Sequence, residues 1–306
     1  MRWSLLLAAL LAAPLAQSQS LRADGPPVRL AGSDDLPLAH PSWSPTGTLA
    51  ASRPDAVGLW IVEDGATRQV TDGPMFGFEW SPDGSTILYR AAREDGLRRD
   101  HAVGLLDIAS GETTLLSEWR PSMPSLPRFS ADGSEALILA DGGIESFGTG
   151  ASASVARPGA SADAAVVLVG TEASRVARGT ASDRFAPVDG FLLNVVASPD
   201  REFVAFEVMA GGLYVSRADG SDLVSLGEGH RPTWSPDGTW IAYMRTWDDG
   251  HHTHAADLWA ARADGSEVVP LTSGNGLEMN PAWRPDGAAL AYDDGEALYL
   301  LPLASE

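Results

Sequence analysis

Trp80-Ser81-Pro82-Asp83-Gly84 leading to Ile87-Leu88-Tyr89, and Trp234-Ser235-Pro236-Asp237-Gly238 leading to Ile241-Ala242-Tyr243, are two copies of one phrase. It returns as Trp43-Ser44-Pro45-Thr46-Gly47, Phe129-Ser130-Ala131-Asp132-Gly133, Ala197-Ser198-Pro199-Asp200 and Trp283-Arg284-Pro285-Asp286-Gly287. Each copy reads as strand, tight turn, strand, and in the four copies with Asp-Gly that pair supplies the positive φ that a two-residue hairpin needs. The aspartates are therefore read as turn residues. A second hairpin follows in most copies, as in Leu213-Tyr214-Val215 before Asp219-Gly220 and Leu258-Trp259-Ala260 before Asp264-Gly265. Four short antiparallel strands repeated around an axis predict an all-β fold, a β-propeller of four-stranded blades.

The aromatic or alanine opening each signature serves as a marker, and the gaps between markers are 37, 49, 68, 37 and 49 residues. The gap of 68 is too long for one unit. Pro158-Gly159-Ala160-Ser161-Ala162-Asp163, followed by Val166-Val167-Leu168-Val169, reads as a worn copy and divides it into 31 and 37 residues. Seven blades are favoured, with six as the alternative. The last unit stops one strand short, and Val28-Arg29-Leu30-Ala31 has the length to be the missing outer strand, closing the ring through the last blade.

Residues 1–18 combine Arg2, the apolar run Leu5 to Ala13 and a small-residue exit at Ala16-Gln17-Ser18, the pattern of a secretory signal peptide. Residues 19–306 are then a single propeller domain. No other segment approaches the ~20 apolar residues of a membrane helix, so membrane insertion is not expected. The chain has no cysteine, which excludes disulfides and a lipoprotein anchor and fits a periplasmic or secreted bacterial protein. The net charge is −20, and all 21 basic residues are arginine. Such a surface argues against nucleic acid as a partner.

Pro232-Thr233-Trp234-Ser235-Pro236-Asp237-Gly238, Ile241-Ala242-Tyr243, Leu258-Trp259, Ala263-Asp264-Gly265-Ser266 and Pro270-Leu271-Thr272 together resemble the TolB-type, WD-like β-propeller repeat. The likeness extends over nearly all of residues 19–306. The founder of that family is a periplasmic protein-binding component of the Tol-Pal system and carries a separate α/β domain, for which this chain has no counterpart. The resemblance thus implies a propeller-only relative, without transfer of the Tol-Pal role. Related propellers precede serine exopeptidase domains, but no Gly-x-Ser-x-Gly elbow exists here.

Propeller geometry places the Asp-Gly turns on one face and the remaining connections on the other. The two gaps of 49 locate extra residues on that second face, at Arg93 to His101 and Thr246 to His254. His101, His251, His252 and His254 lie in these long hairpins, and His40 and His230 lie in loops leading to first strands. Together with Arg93, Arg98, Arg99 and Trp247 they form the candidate binding face. The arginines have Glu94, Asp95 and Asp100 among them, which favours local pairing.

The leading expectation is an exported, non-enzymatic, monomeric binding propeller that holds a protein or peptide partner in the envelope and uses no cofactor. The alternative is a metal-dependent carbohydrate lyase or hydrolase at the channel mouth. It is similar in outline to propeller-fold pectate-fragment lyases, with His230, His252 and His254 holding a divalent metal.

Overall fold

The computed structural model describes residues 20–140, 143–150, 166–169, 174–178, 181–248 and 253–305, and these contain strands and turns but no helix. The segment read as a signal peptide and the worn signature at 158–163 lie outside the described residues. The strands form a β-propeller whose sheets follow one another in chain order. The first sheet is Ala39–Trp43, Leu49–Ser52, Val57–Glu63 and Ala66–Pro74. The second is Phe76–Trp80, Thr86–Asp95, Arg98–Asp107 and Thr113–Leu115. The third and fourth are described through three strands each: Arg128–Phe129, Glu135–Ala140 and Gly143–Gly148, then Val166–Val169, Ser174–Arg178 and Ala181–Phe185. The fifth is Leu192–Ala197, Phe203–Val208, Gly212–Arg217 and Val224–Gly227. The sixth is His230–Trp234, Trp240–Asp248, Thr253–Arg262 and Val268–Pro270. The seventh begins Met279–Trp283, Ala289–Asp293 and Ala297–Ser305.

Two N-terminal strands complete the seventh sheet. Val28–Gly32 lies along the first half of Ala297–Ser305, pairing Val28 with Leu300 and Gly32 with Ala297. Leu21–Ala23 covers the second half, with Leu21 opposite Ser305. The expected closing strand is present, and the additional Leu21–Ala23 strand leaves less of the outer edge unpaired.

The signature aspartates are turn residues, but the turn is longer than the expected two-residue one: Ser81 N donates to Thr86 O, Gly84 N donates to Ser81 O, both at 2.9 Å, and of Asp83 and Gly84 only the glycine has positive φ, at 73°. Asp83 Oδ1 accepts hydrogen bonds from Ser81 Oγ at 2.6 Å, Ser85 N at 2.9 Å and Ser85 Oγ at 2.8 Å. Asp132 and Asp237 repeat the arrangement with Ser130 and Ser134, and with Ser235 and Thr239. Burial pushes these three carboxyls up, but the donated hydrogen bonds outweigh it and hold each below the usual carboxylate range.

The signature tryptophans join neighbouring sheets. Trp80, Trp234 and Trp283 are buried, and each indole N–H donates to a carbonyl in the preceding sheet: Ser42 at 3.4 Å, Val196 at 3.1 Å and Thr233 at 3.2 Å. In every case the acceptor stands immediately before the preceding marker. Trp43, at the closing seam, differs: its buried Nε1 has no hydrogen-bond partner among the described residues.

Candidate functional site

The innermost strand of five sheets is bulged at the same place. Ladder register shifts between Ala39 and Ser42, Phe76 and Glu79, Leu193 and Val196, His230 and Thr233, and Met279 and Ala282. Inside each bulge one residue has positive φ: His40 at 55°, Gly77 at 56°, Asn194 at 47°, Arg231 at 55° and Asn280 at 52°. All five stand three positions before their marker. Asn, His and Gly tolerate this conformation, whereas arginine adopts it less readily. Gly77 has a second reason to be glycine, since a Cβ there would collide with the Leu126 side chain.

The bulges re-aim side chains, and the five residues line one cavity of about 630 Å³ together with Asp55, Arg128 and Val195. This cavity is the channel mouth on the face opposite the Asp-Gly turns. A cavity of about 570 Å³ forms the other end, among the signature residues Trp43, Trp80, Pro199, Trp234 and Pro285. Arg128 lines both.

Behind the mouth, two carboxylates brace the bulges in a repeated motif. Asn194 Nδ2 donates to Glu207 Oε2 at 2.8 Å, and Asn280 Nδ2 donates to Asp293 Oδ2 at 2.9 Å. Each acid sits 13 residues after its asparagine, at the end of the second strand, and also grips the next sheet. Glu207 Oε1 accepts from His230 Nδ1 at 2.7 Å, and Asp293 Oδ2 accepts from His40 N at 2.9 Å. Burial pushes the Asp293 carboxyl up to about 6, against the hydrogen bonds from Asn280, His40 and Gly295 that favour its charged form. Burial, aided by the neighbouring Arg231 charge, lowers His40 to about 4 and keeps it neutral.

The expected site residues divide into two groups. His40 lines the channel mouth and His230, next to Arg231, is bonded to Glu207 behind it; both lie within first strands and not in the loops before them. The others lie on the long hairpins, where the extra residues extend Thr86–Asp95 with Arg98–Asp107 and Trp240–Asp248 with Thr253–Arg262. On the first hairpin the arginines are paired locally: Arg93 and Arg98 reach Asp100 at 3.4 and 3.3 Å, and Arg99 reaches Glu94 at 3.7 Å. Arg93 also covers the Trp119 ring, 4.6 Å from its centroid. The His101 backbone pairs with Arg120, while burial lowers the affinity of its ring for a proton. On the second hairpin the rings of Trp247 and His254 lie 4.9 Å apart.

His251 and His252 lie outside the described residues. Of the alternative metal set, His230 is bonded to Glu207 and His254 packs on Trp247. No group of three His, Cys, Asp or Glu side chains among the described residues is placed to hold a metal ion. The residues that sequence reading missed at the rim are Asn194, Arg231, Asn280 and Arg128. For the first three, the available signal was the fixed offset of three before each marker.

No family model and no curated protein sequence matches the chain. Among solved structures, a TolB-like protein of Agrobacterium tumefaciens is 20% identical with a TM-score of 0.53, over 87% of this chain and 90% of that one. The β-propeller domain of Cps50 (Swd1) from Myceliophteria thermophila is 13% identical with a TM-score of 0.54, over 90% and 99% of the two chains. The shared feature is the fold, and this chain is similar to both as a β-propeller.

Proposed function

We propose that this chain is an exported, non-enzymatic binding propeller, acting as a monomer, whose hairpin face holds a protein or peptide partner in the cell envelope. The observation that carries the reading is the form of that face. A concave mouth of about 630 Å³ opens on the face that carries the two extended hairpins. Their outer ends present Leu97, fully exposed, and Trp247, 67% exposed. Large apolar groups held outward beside a cavity of mixed apolar and polar lining are the elements of a protein-recognition surface. The resemblance to TolB-type repeats and the propeller neighbours support the same reading by fold analogy.

The test is affinity capture from envelope extract with the protein and with a variant whose 246–254 hairpin is replaced by Asn-Gly. A partner retained by the first and lost by the second is the expected result. The same proteins recovered with both baits, or none with either, would refute the assignment of this face.

A further inference from the structure

We infer that the channel mouth recognises a carboxylate on its peptide partner through Arg128 and Arg231, an inference that rests on the binding reading above. The two arginines come from the third and sixth sheets and line the same cavity. No carboxylate among the described residues pairs with either one. Asp55 is the acid on the cavity wall, and its Oδ1 accepts from Val57 N at 3.2 Å. Glu207 and Asp293 stand behind the rim, engaged by Asn194, His230, Asn280 and the His40 backbone. A chain of net charge −20 thus presents, at its central opening, two guanidinium groups with no carboxylate partner among the described residues, and guanidinium is the side chain best matched to a carboxylate.

The asparagines specify a peptide over a simple anion. An ionised carboxylate only accepts hydrogen bonds, so Glu207 and Asp293 fix the Nδ2 side of each amide toward themselves. The Oδ1 atoms of Asn194 and Asn280 are left as acceptors, and a peptide supplies N–H donors for them whereas a small dicarboxylate does not. The carboxylate itself can come from an Asp or Glu side chain or from a peptide C-terminus.

The experiment uses the full purified protein, two random hexapeptide libraries, one with free and one with amidated C-termini, and succinate as a small dicarboxylate. Bound peptides are identified by mass spectrometry, and affinities of the enriched ones are measured by fluorescence anisotropy. The protein is expected to enrich acidic peptides from both libraries, or free C-termini from the first alone, which separates the two sources of carboxylate. Arg231→Asn and Arg128→Gln should each weaken binding by roughly tenfold or more. Arg231→Asn is the variant that keeps its fold, because the site is exposed and Asn already occupies the equivalent left-handed position in two sheets. Peptides enriched without acidic preference, and bound equally by both variants, would overturn the carboxylate while leaving peptide binding in place. Binding of succinate alone, or of no probe at all, would overturn the peptide as well.

Discussion

Replacing Asp293 by Asn should change the pH dependence of stability in a defined direction. Asp293 is fully buried at the seam between the seventh and first sheets, and its carboxyl titrates at about 6 in the folded protein. In the unfolded chain an Asp titrates near ~3.9. The folded protein therefore holds this proton more tightly. The stabilising effect is complete below about pH 4 and is lost as pH rises through 6. The gap is about two pH units at ~1.4 kcal/mol each, or about 3 kcal/mol between pH 4 and neutrality. Asn keeps the shape but does not titrate, and its Nδ2, which only donates, gives up the bond from Gly295 N, an offset that does not follow the titration. His40, held neutral by burial, pulls the wild-type curve the opposite way, and Glu278, raised by burial and by Asp257, pulls it the same way. Both remain in the variant, so the difference between the two proteins is the quantity to measure. Urea unfolding followed by tryptophan fluorescence at about pH 4, 5, 6 and 7.5 supplies it. The variant should gain about 3 kcal/mol on the wild type across that range. A difference that stays constant with pH would refute the reasoning.

Trp283→Phe removes an indole bond to the Thr233 carbonyl and should cost about 1 kcal/mol more than Trp43→Phe, whose Nε1 has no partner; equal costs in urea titration would contradict the tie. Asp237→Ala breaks bonds to Ser235 and Thr239 and should destabilise by about 1–2 kcal/mol at pH 7. Because that carboxyl is held below its usual range, the loss should shrink as pH falls below about 4, which acid-range unfolding curves will check. Deleting residues 20–32 strips both outer partners from Ala297–Ser305 and should open the ring, seen as rapid proteolysis of the seventh sheet and a broadened thermal transition.

The propeller was legible because its turns are written in residue types: Asp-Gly marks the hairpin in four of the six signatures, and the markers, five of them aromatic, fix the repeat. The closing strand at Val28 was legible from its length and from the strand missing in the last unit. Leu21–Ala23 was not, since three residues carry too little pattern to announce a strand. The self-pairing of Arg93, Arg98 and Arg99 followed from the acids among them. The rim was harder to read. Its bulges depend on one φ angle per strand, and Arg231 occupies that position against its residue-type preference. Glu207 and Asp293 sit in runs that otherwise read as buried strand, Phe203–Val208 and Ala289–Asp293. Their role emerges only once residues 13 apart are seen across a bulged ladder.

The joining of residues 21–32 to residues 297–305 also sets an order of events in time. A ribosome adding roughly 5–20 residues each second needs on the order of tens of seconds between making the first of these segments and the last. Through that interval the sheets can stack one upon another as an open arc, while the early strands wait without the edge they will cover. The final contact is the most sequence-distant strand pairing among the described residues, and loop closure of that span is slow. Newly made chains thus pass through a stage with a naked sheet border at each end of the arc, and the joining of the two ends is the step that removes both.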